Sequence, residues 1–280
     1  MVIIVSRKIG LFNIIMLHFI AIILIITNSM NFALAARQNP SAKAGIIYQN
    51  EDAPPPYKIA PGQIIHISSG TGFFVSNDSI ITNEHVVHEC KSIRIRGAVE
   101  PAFATLVSVD KKNDLALLKT SRSPIMAAPL RGDLPIEVGE EVSVMGYPLE
   151  HGMKGSYLIR KAKITKDSDV LDGAERIQFT DSVEKGNSGG PLLDSNGTVI
   201  GVIVGKVSFY LAGSDIKNTQ PIKTSSVAIT LDTLKYFLDK NRISYRIDNT
   251  LYKFEDSYME NKAKDYIVNI QCVKDEDGSQ

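Results

Sequence analysis

Lys185-Gly186-Asn187-Ser188-Gly189-Gly190-Pro191 sets three glycines around one serine. Glycine serves where φ is positive or where another backbone comes close. A serine in such a loop can present its hydroxyl and keep its backbone N–H as a donor. Those are the two features that a serine nucleophile requires. Taken alone, the same cluster also reads as an ordinary turn between strands. The readings separate on whether the chain supplies a base, an acid to orient it, and a rigid frame.

The frame is all-β. From residue 62 onward, short β-branched runs alternate with Gly, Asn, Asp and Pro. The pattern predicts strands at 63–68, 72–76, 80–82, 92–96, 104–109 and 115–119. After a loop rich in Pro and Gly it predicts others at 141–146, 157–165, 176–180, 191–193, 199–207 and 226–231. Many short strands with turn signals are the mark of barrels or sandwiches. The break near residues 121–137 divides them into two units of similar size. One helix is predicted at 232–241, capped by Asp232, with Leu234, Phe237 and Leu238 on one face. Residues 242–280 read as a charged tail with one candidate strand at 266–272.

The N-terminus is of another kind. Arg7-Lys8 precede an apolar run from 9 to 26, and Ala33-Leu34-Ala35 follows. This is the order of a secretory signal peptide over residues 1–35, with cleavage after Ala35. The alternative is an uncleaved membrane anchor through residues 9–26, a run that Asn13 and His18 interrupt. Either way the remainder works outside the cytosol, periplasmic or secreted. Residues 36–61, with Pro54-Pro55-Pro56, read as a linker. The chain of 280 residues has a formal net charge of zero, so charge gives no reason to expect a nucleic-acid partner. Cys90 and Cys272 can pair, but two cysteines are too few for a disulfide framework.

A serine hydroxyl needs a base. Of five histidines, His18 lies in the apolar N-terminal run, His66 in a predicted strand and His151 in a polar loop. His85 follows directly on the strand ending at Thr82, where a rigid scaffold carries functional loops. His88 and Cys90 stand nearby, so a metal site is the alternative reading of this segment. The spacing does not match the H-E-x-x-H zinc helix, and no metal or cofactor is expected. Asp114, directly before the apolar run 115–118, is either a turn residue or the acid that orients His85.

Four motifs occur in order: Gly70-Thr71-Gly72-Phe73-Phe74-Val75, Thr82-Asn83-Glu84-His85-Val86-Val87, Asn113-Asp114-Leu115-Ala116-Leu117-Leu118-Lys119 and Gly186-Asn187-Ser188-Gly189-Gly190-Pro191. Together they resemble the trypsin-like serine proteases of the HtrA/Deg branch, over residues 62–241. The resemblance implies two six-stranded antiparallel β-barrels of the chymotrypsin-like kind, about 62–122 and 136–231, then a short helix at 232–241. It implies His85 as base, Asp114 as orienting acid, Ser188 as nucleophile, and an oxyanion hole from the N–H groups of Gly186 and Ser188. It places Ser182 at the specificity pocket, with Val202, Ile203 and Val204 supplying apolar walls or backbone pairing for an extended substrate. No carboxylate stands at the pocket base, since Asp181 is one place off, so small or medium apolar residues are expected at the cleaved position. Family zymogens use an Asp where this chain has Asn187, so no zymogen cleavage is expected. The family's PDZ domains are not expected in the short segment after the helix, and a homotrimer would draw on residues 46–61. Polypeptides are the implied substrates. The rival reading is a catalytically silent barrel acting as a binding or chaperone module.

Overall fold

Strand β1 (Ile65–Phe74) runs unbroken where the sequence pattern predicts two strands. Gly70 and Gly72 are close-approach positions and not turn residues. A Cβ at Gly70 would meet Val86, and one at Gly72 would meet Ile270 and Ile80. The computed structural model describes residues 65–149, 156–180, 183–212, 219–250 and 254–275. The expected signal peptide, the linker, Asp181, Ser182 and His151 lie outside the described residues.

The first barrel comprises β1, β2 (Ser79–Thr82), β3 (Ser92–Gly97), β4 (Ala102–Asp110), β5 (Leu115–Lys119) and the late strand β14 (Ile267–Asp275). It closes in the order β1-β14-β3-β4-β5-β2. This corrects the expectation of a C-terminal tail and of a domain ending at 241. β14 pairs with β1 from Ile65↔Asp275 to Phe73↔Ile267, and with β3 from Val268↔Gly97 to Val273↔Ser92. The physical reason is edge closure: without β14, β1 and β3 would leave unpaired backbone groups facing each other. Ile267, Val268, Asn269, Ile270 and Cys272 are fully buried there. Cys272 forms a disulfide with Cys90, Cα–Cα 5.3 Å.

The second barrel takes β7 (Glu141–Gly146), β8 (Leu158–Leu171), β9 (Ala174–Phe179), β10 (Pro191–Leu193), β11 (Val199–Phe209) and β12 (Lys223–Thr230). The order β10-β7-β8-β9-β12-β11 is closed by β10 pairing with β11. Two short strands, β6 (Pro129–Arg131) and β13 (Arg246–Asp248), extend it in parallel from β11. The expected pair of six-stranded antiparallel barrels is therefore present. Val142, Val144, Ile164, Ile177, Phe179, Leu192 and Ile203 are among the residues that fill its interior.

The other core runs through barrel one and into the seam between barrels. Phe73, Ile81, Leu115 and Leu117 meet Tyr147, Leu193 and Val202 there. Three helices complete the described chain: α1 (Glu84–Val87), α2 (Leu231–Lys240) and α3 (Asp256–Ala263). α2 buries Leu234, Phe237 and Leu238, the predicted face. Its N-cap is Thr230, whose Oγ1 accepts from the N–H of Thr233 at 3.4 Å. Asp232 sits inside the first turn, where it complements the helix dipole and does not cap.

Candidate active site

The serine loop is shaped by two positive-φ glycines and one threonine beneath them. Gly186 has φ 99° and Gly189 φ 83°. A Cβ on Gly186 would run into the Tyr147 carbonyl, and one on Gly189 into the Thr71 carbonyl. Both positions therefore need glycine on two counts, backbone angle and space. Thr71 of β1 is fully buried and uses every polar atom it has. Its N–H donates to the Ser188 carbonyl at 2.9 Å, and its carbonyl accepts from Thr82 Oγ1 at 2.7 Å. Its Oγ1 donates to the Gly186 carbonyl at 2.7 Å and accepts from the Tyr147 N–H at 2.9 Å. The loop is further pinned to β11: Gly189 N–H donates to the Ile203 carbonyl and Ile203 N–H to that of Gly190, each at 2.8 Å. With the carbonyls thus engaged, the N–H groups of Gly186 and Ser188 make no hydrogen bond among the described residues. Donors held ready in this way suit an oxyanion.

The histidine and the acid are brought together by the β2–α1 junction and the β4–β5 turn. Asp114 has φ 63°, an uncommon angle that Asp tolerates better than most. Its carbonyl accepts from Asn83 Nδ2 at 2.9 Å and from the Glu84 N–H at 3.3 Å. Its carboxylate accepts the His85 N–H on Oδ1 at 3.0 Å and faces His85 Nδ1 with Oδ2 at 2.7 Å. The carboxylate side is the more sheltered: side-chain exposure is 18% for Asp114 and 48% for His85. A ring held through Nδ1 leaves Nε2 to exchange protons.

Ser188 Oγ donates to the Val204 carbonyl at 2.8 Å. No hydrogen bond links it to His85 among the described residues. Such bonds often tighten only once substrate is present. Beside Ser188 lies an open pocket of about 820 Å³, lined by Leu149, Arg160, Val183, Glu184, Lys185, Gly205 and Lys206. Arg160 Nη2 is ion-paired with Glu184 Oε1. Val204 is where β11 bulges against β12, which turns its carbonyl away from the regular ladder. Val202 and Ile203 do not form apolar pocket walls, contrary to the expectation. Both are fully buried. β11 lies between two cores, so one neighbour points into the seam and the other into barrel two. Asn187 is buried as well, and its Oδ1 has no hydrogen-bond partner.

Cys90 forms its disulfide with Cys272, and His88 Nδ1 pairs with Glu84 Oε1 at 2.7 Å. Three residues near the site were not singled out from sequence: Thr71, Asn83 and Arg176. Thr71 and Asn83 stood inside quoted motifs, and their polarity between apolar strand residues was the available signal. Arg176 carried none, since an arginine opening a strand reads as solvent-facing. Burial lowers the pKa of the Arg176 guanidinium, while Asp114, Asp172 and Asp110 oppose that shift. Burial pushes Tyr147 up to about 12, with Tyr157 adding to the rise and Arg96 opposing it.

Residues 70–202 match the model of the trypsin-like peptidase domain, and the two-barrel fold agrees with that match. Relatives of the chain include HtrA- and DegP-like serine proteases. Serine protease Rv3671c of Mycobacterium tuberculosis (H37Rv) is 30% identical over 179 residues, covering 57% of this chain and 45% of that protein. The probable periplasmic serine endoprotease DegP-like of Chlamydia trachomatis is 32% identical over 141 residues, covering 50% of this chain and 28% of that protein. The crystal structure of the active form of the Rv3671c protease superposes with a TM-score of 0.50 at 26% identity, covering 66% of this chain and 83% of that one. The chain thus spans less than half the length of these two curated relatives.

Proposed function

We propose that the chain is a serine endopeptidase in which Ser188, His85 and Asp114 act as a triad on polypeptides. The observation that carries this reading is the 2.7 Å contact of His85 Nδ1 with Asp114 Oδ2, next to a serine loop whose Gly186 and Ser188 N–H groups make no hydrogen bond among the described residues. Ser188 Oγ attacks the peptide carbonyl while His85 Nε2 takes its proton. The Gly186 and Ser188 N–H groups receive the oxyanion, and His85 then gives the proton to the leaving amine. Asp114 holds the ring and stabilises its cation. Water repeats the sequence on the acyl-enzyme. Leu149 and Val183 on the pocket wall support small or medium apolar residues at the cleaved position. The Cys90–Cys272 bond and the periplasmic designation of the Chlamydia relative support work outside the cytosol on exported, unfolded chains.

The Ser188 hydroxyl on the Val204 carbonyl favours the rival reading, a silent binding module. A fluorophosphonate probe with a casein assay separates the two. The endopeptidase reading expects covalent labelling and cleavage, both lost in Ser188→Ala while the fold persists. Absence of labelling in the wild-type protein, or undiminished casein cleavage by Ser188→Ala, would sink it.

A further inference from the structure

Arg176 belongs to β9 of barrel two, yet it reaches the turn of barrel one that carries Asp114. It is buried, at 8% exposure. Its Nη2 donates to the Asn113 carbonyl at 3.3 Å and its Nη1 to the Glu175 carbonyl at 3.1 Å. A buried guanidinium is costly unless hydrogen-bonded and electrostatically compensated. The charges facing it are Asp114 and Asp110 from barrel one and Asp172 from the β8–β9 turn. Asp110 Oδ1 and Oδ2 accept from the N–H and Nδ2 of Asn113, at 3.0 and 2.7 Å. The turn is therefore held at three successive peptides: Asp110 takes the Asn113 N–H, Arg176 holds the Asn113 carbonyl, and Asn83 and Glu84 hold the Asp114 carbonyl. Asp114 keeps both carboxylate oxygens for His85.

We infer that Arg176 is a positioning residue for the proposed triad: it fixes the Asn113–Asp114 turn from the opposite barrel and places a permanent positive charge behind the Asp114 carboxylate. This rests on the triad reading above. The grip matters because Asp114 sits at a positive φ, which an unsupported turn would relax. One consequence follows for the reaction: loss of the grip lowers kcat, because the ring of His85 is less often aimed.

The test uses Arg176→Gln and Arg176→Lys, each titrated with a fluorophosphonate probe so that rates are per competent site. kcat and KM are measured for each. Arg176→Gln should lose about tenfold or more in kcat with KM within about twofold. Arg176→Lys keeps the charge but not the planar fork, and should lose part of kcat. A wild-type kcat in Arg176→Gln would reduce Arg176 to a structural brace, whatever the melting temperature did. Should Arg176→Gln fail to fold, Arg176→Lys decides: an undiminished kcat overturns the inference. A wild-type protein that takes no probe would fail the triad reading itself, which distinguishes the two failures.

Discussion

Thr71→Val tests the serine loop from below. The substitution keeps the side chain's shape and opens no cavity, but it removes one oxygen that serves two fully enclosed partners. The Tyr147 N–H loses its acceptor and the Gly186 carbonyl loses its donor, bonds of 2.9 and 2.7 Å. Leaving a buried polar group unsatisfied costs about 1–3 kcal/mol. Two such groups cost about 2–6 kcal/mol, less where a water enters. Proteins of this size shift in Tm by about 2–4 °C per kcal/mol, so a fall of roughly 10 °C is expected. The kinetic effect is separate. An unheld Gly186 carbonyl lets the neighbouring peptide turn over, and the oxyanion donors are then misaimed. Removing one donor outright costs about 10²–10³ in kcat at comparable sites, so partial misaiming should cost about 10–10². Urea denaturation gives the stability, and probe-titrated casein or peptide hydrolysis gives kcat. Thr71→Ser, which keeps the oxygen, should recover most of both. If Thr71→Val matched Thr71→Ser in stability and in kcat, the hub argument would be wrong.

Replacing both Cys90 and Cys272 by serine opens a link across 182 residues of sequence. The chain-entropy model puts its removal at about 5 kcal/mol, and about 2–5 is the expected loss in urea denaturation; hydrogen exchange should show β14 opening first. Unchanged stability would mean that pairing alone secures β14. Tyr147→Phe tests the alkaline side. Burial raises Tyr147 from 10.0 to about 12, so between those values the unfolded chain releases a proton that the folded chain retains. The unfolded state binds fewer protons there, and stability falls as pH rises through that window. Tyr147→Phe should flatten that fall, read as melting temperature against pH; an identical slope would contradict the assignment.

How far the sequence carried differs by element, for physical reasons. His85, Asp114 and Ser188 stand in local motifs next to strand ends, and local patterns survive in a linear reading. The limits of β5, β7 and β10 were legible because polar or turn residues bound each apolar run. β14 was only half seen. Its role depends on partners such as His66↔Lys274, a pairing across most of the chain that no local period encodes. β13 is a three-residue parallel addition with charged ends and no alternation to detect. The family resemblance placed Val202 and Ile203 at the pocket, and a resemblance carries no information on which face of a strand is buried. β11 buries both, because it is shared between a barrel interior and the barrel seam.

The seam is also where the proposed chemistry would be set. Thr71 of barrel one holds Gly186, Ser188 and Tyr147 of barrel two. In return, barrel two sends Arg176 to Asn113, and the Tyr147 hydroxyl lies where a Cβ on Gly97 would stand. The proposed oxyanion donors and the His85–Asp114 pair are thus each fixed by a polar contact from the opposite barrel. A small slide of one barrel on the other would misaim both halves together, whereas the separate barrel ladders would survive it. Polar seam substitutions should therefore lower kcat together with the melting temperature. Substitutions inside barrel two, such as Ile177→Val, should lower the melting temperature alone. A site built across a seam would convert the fit between two stable barrels into a rate, and so the polar residues of the seam, more than its apolar ones, would set how well the proposed triad is aimed.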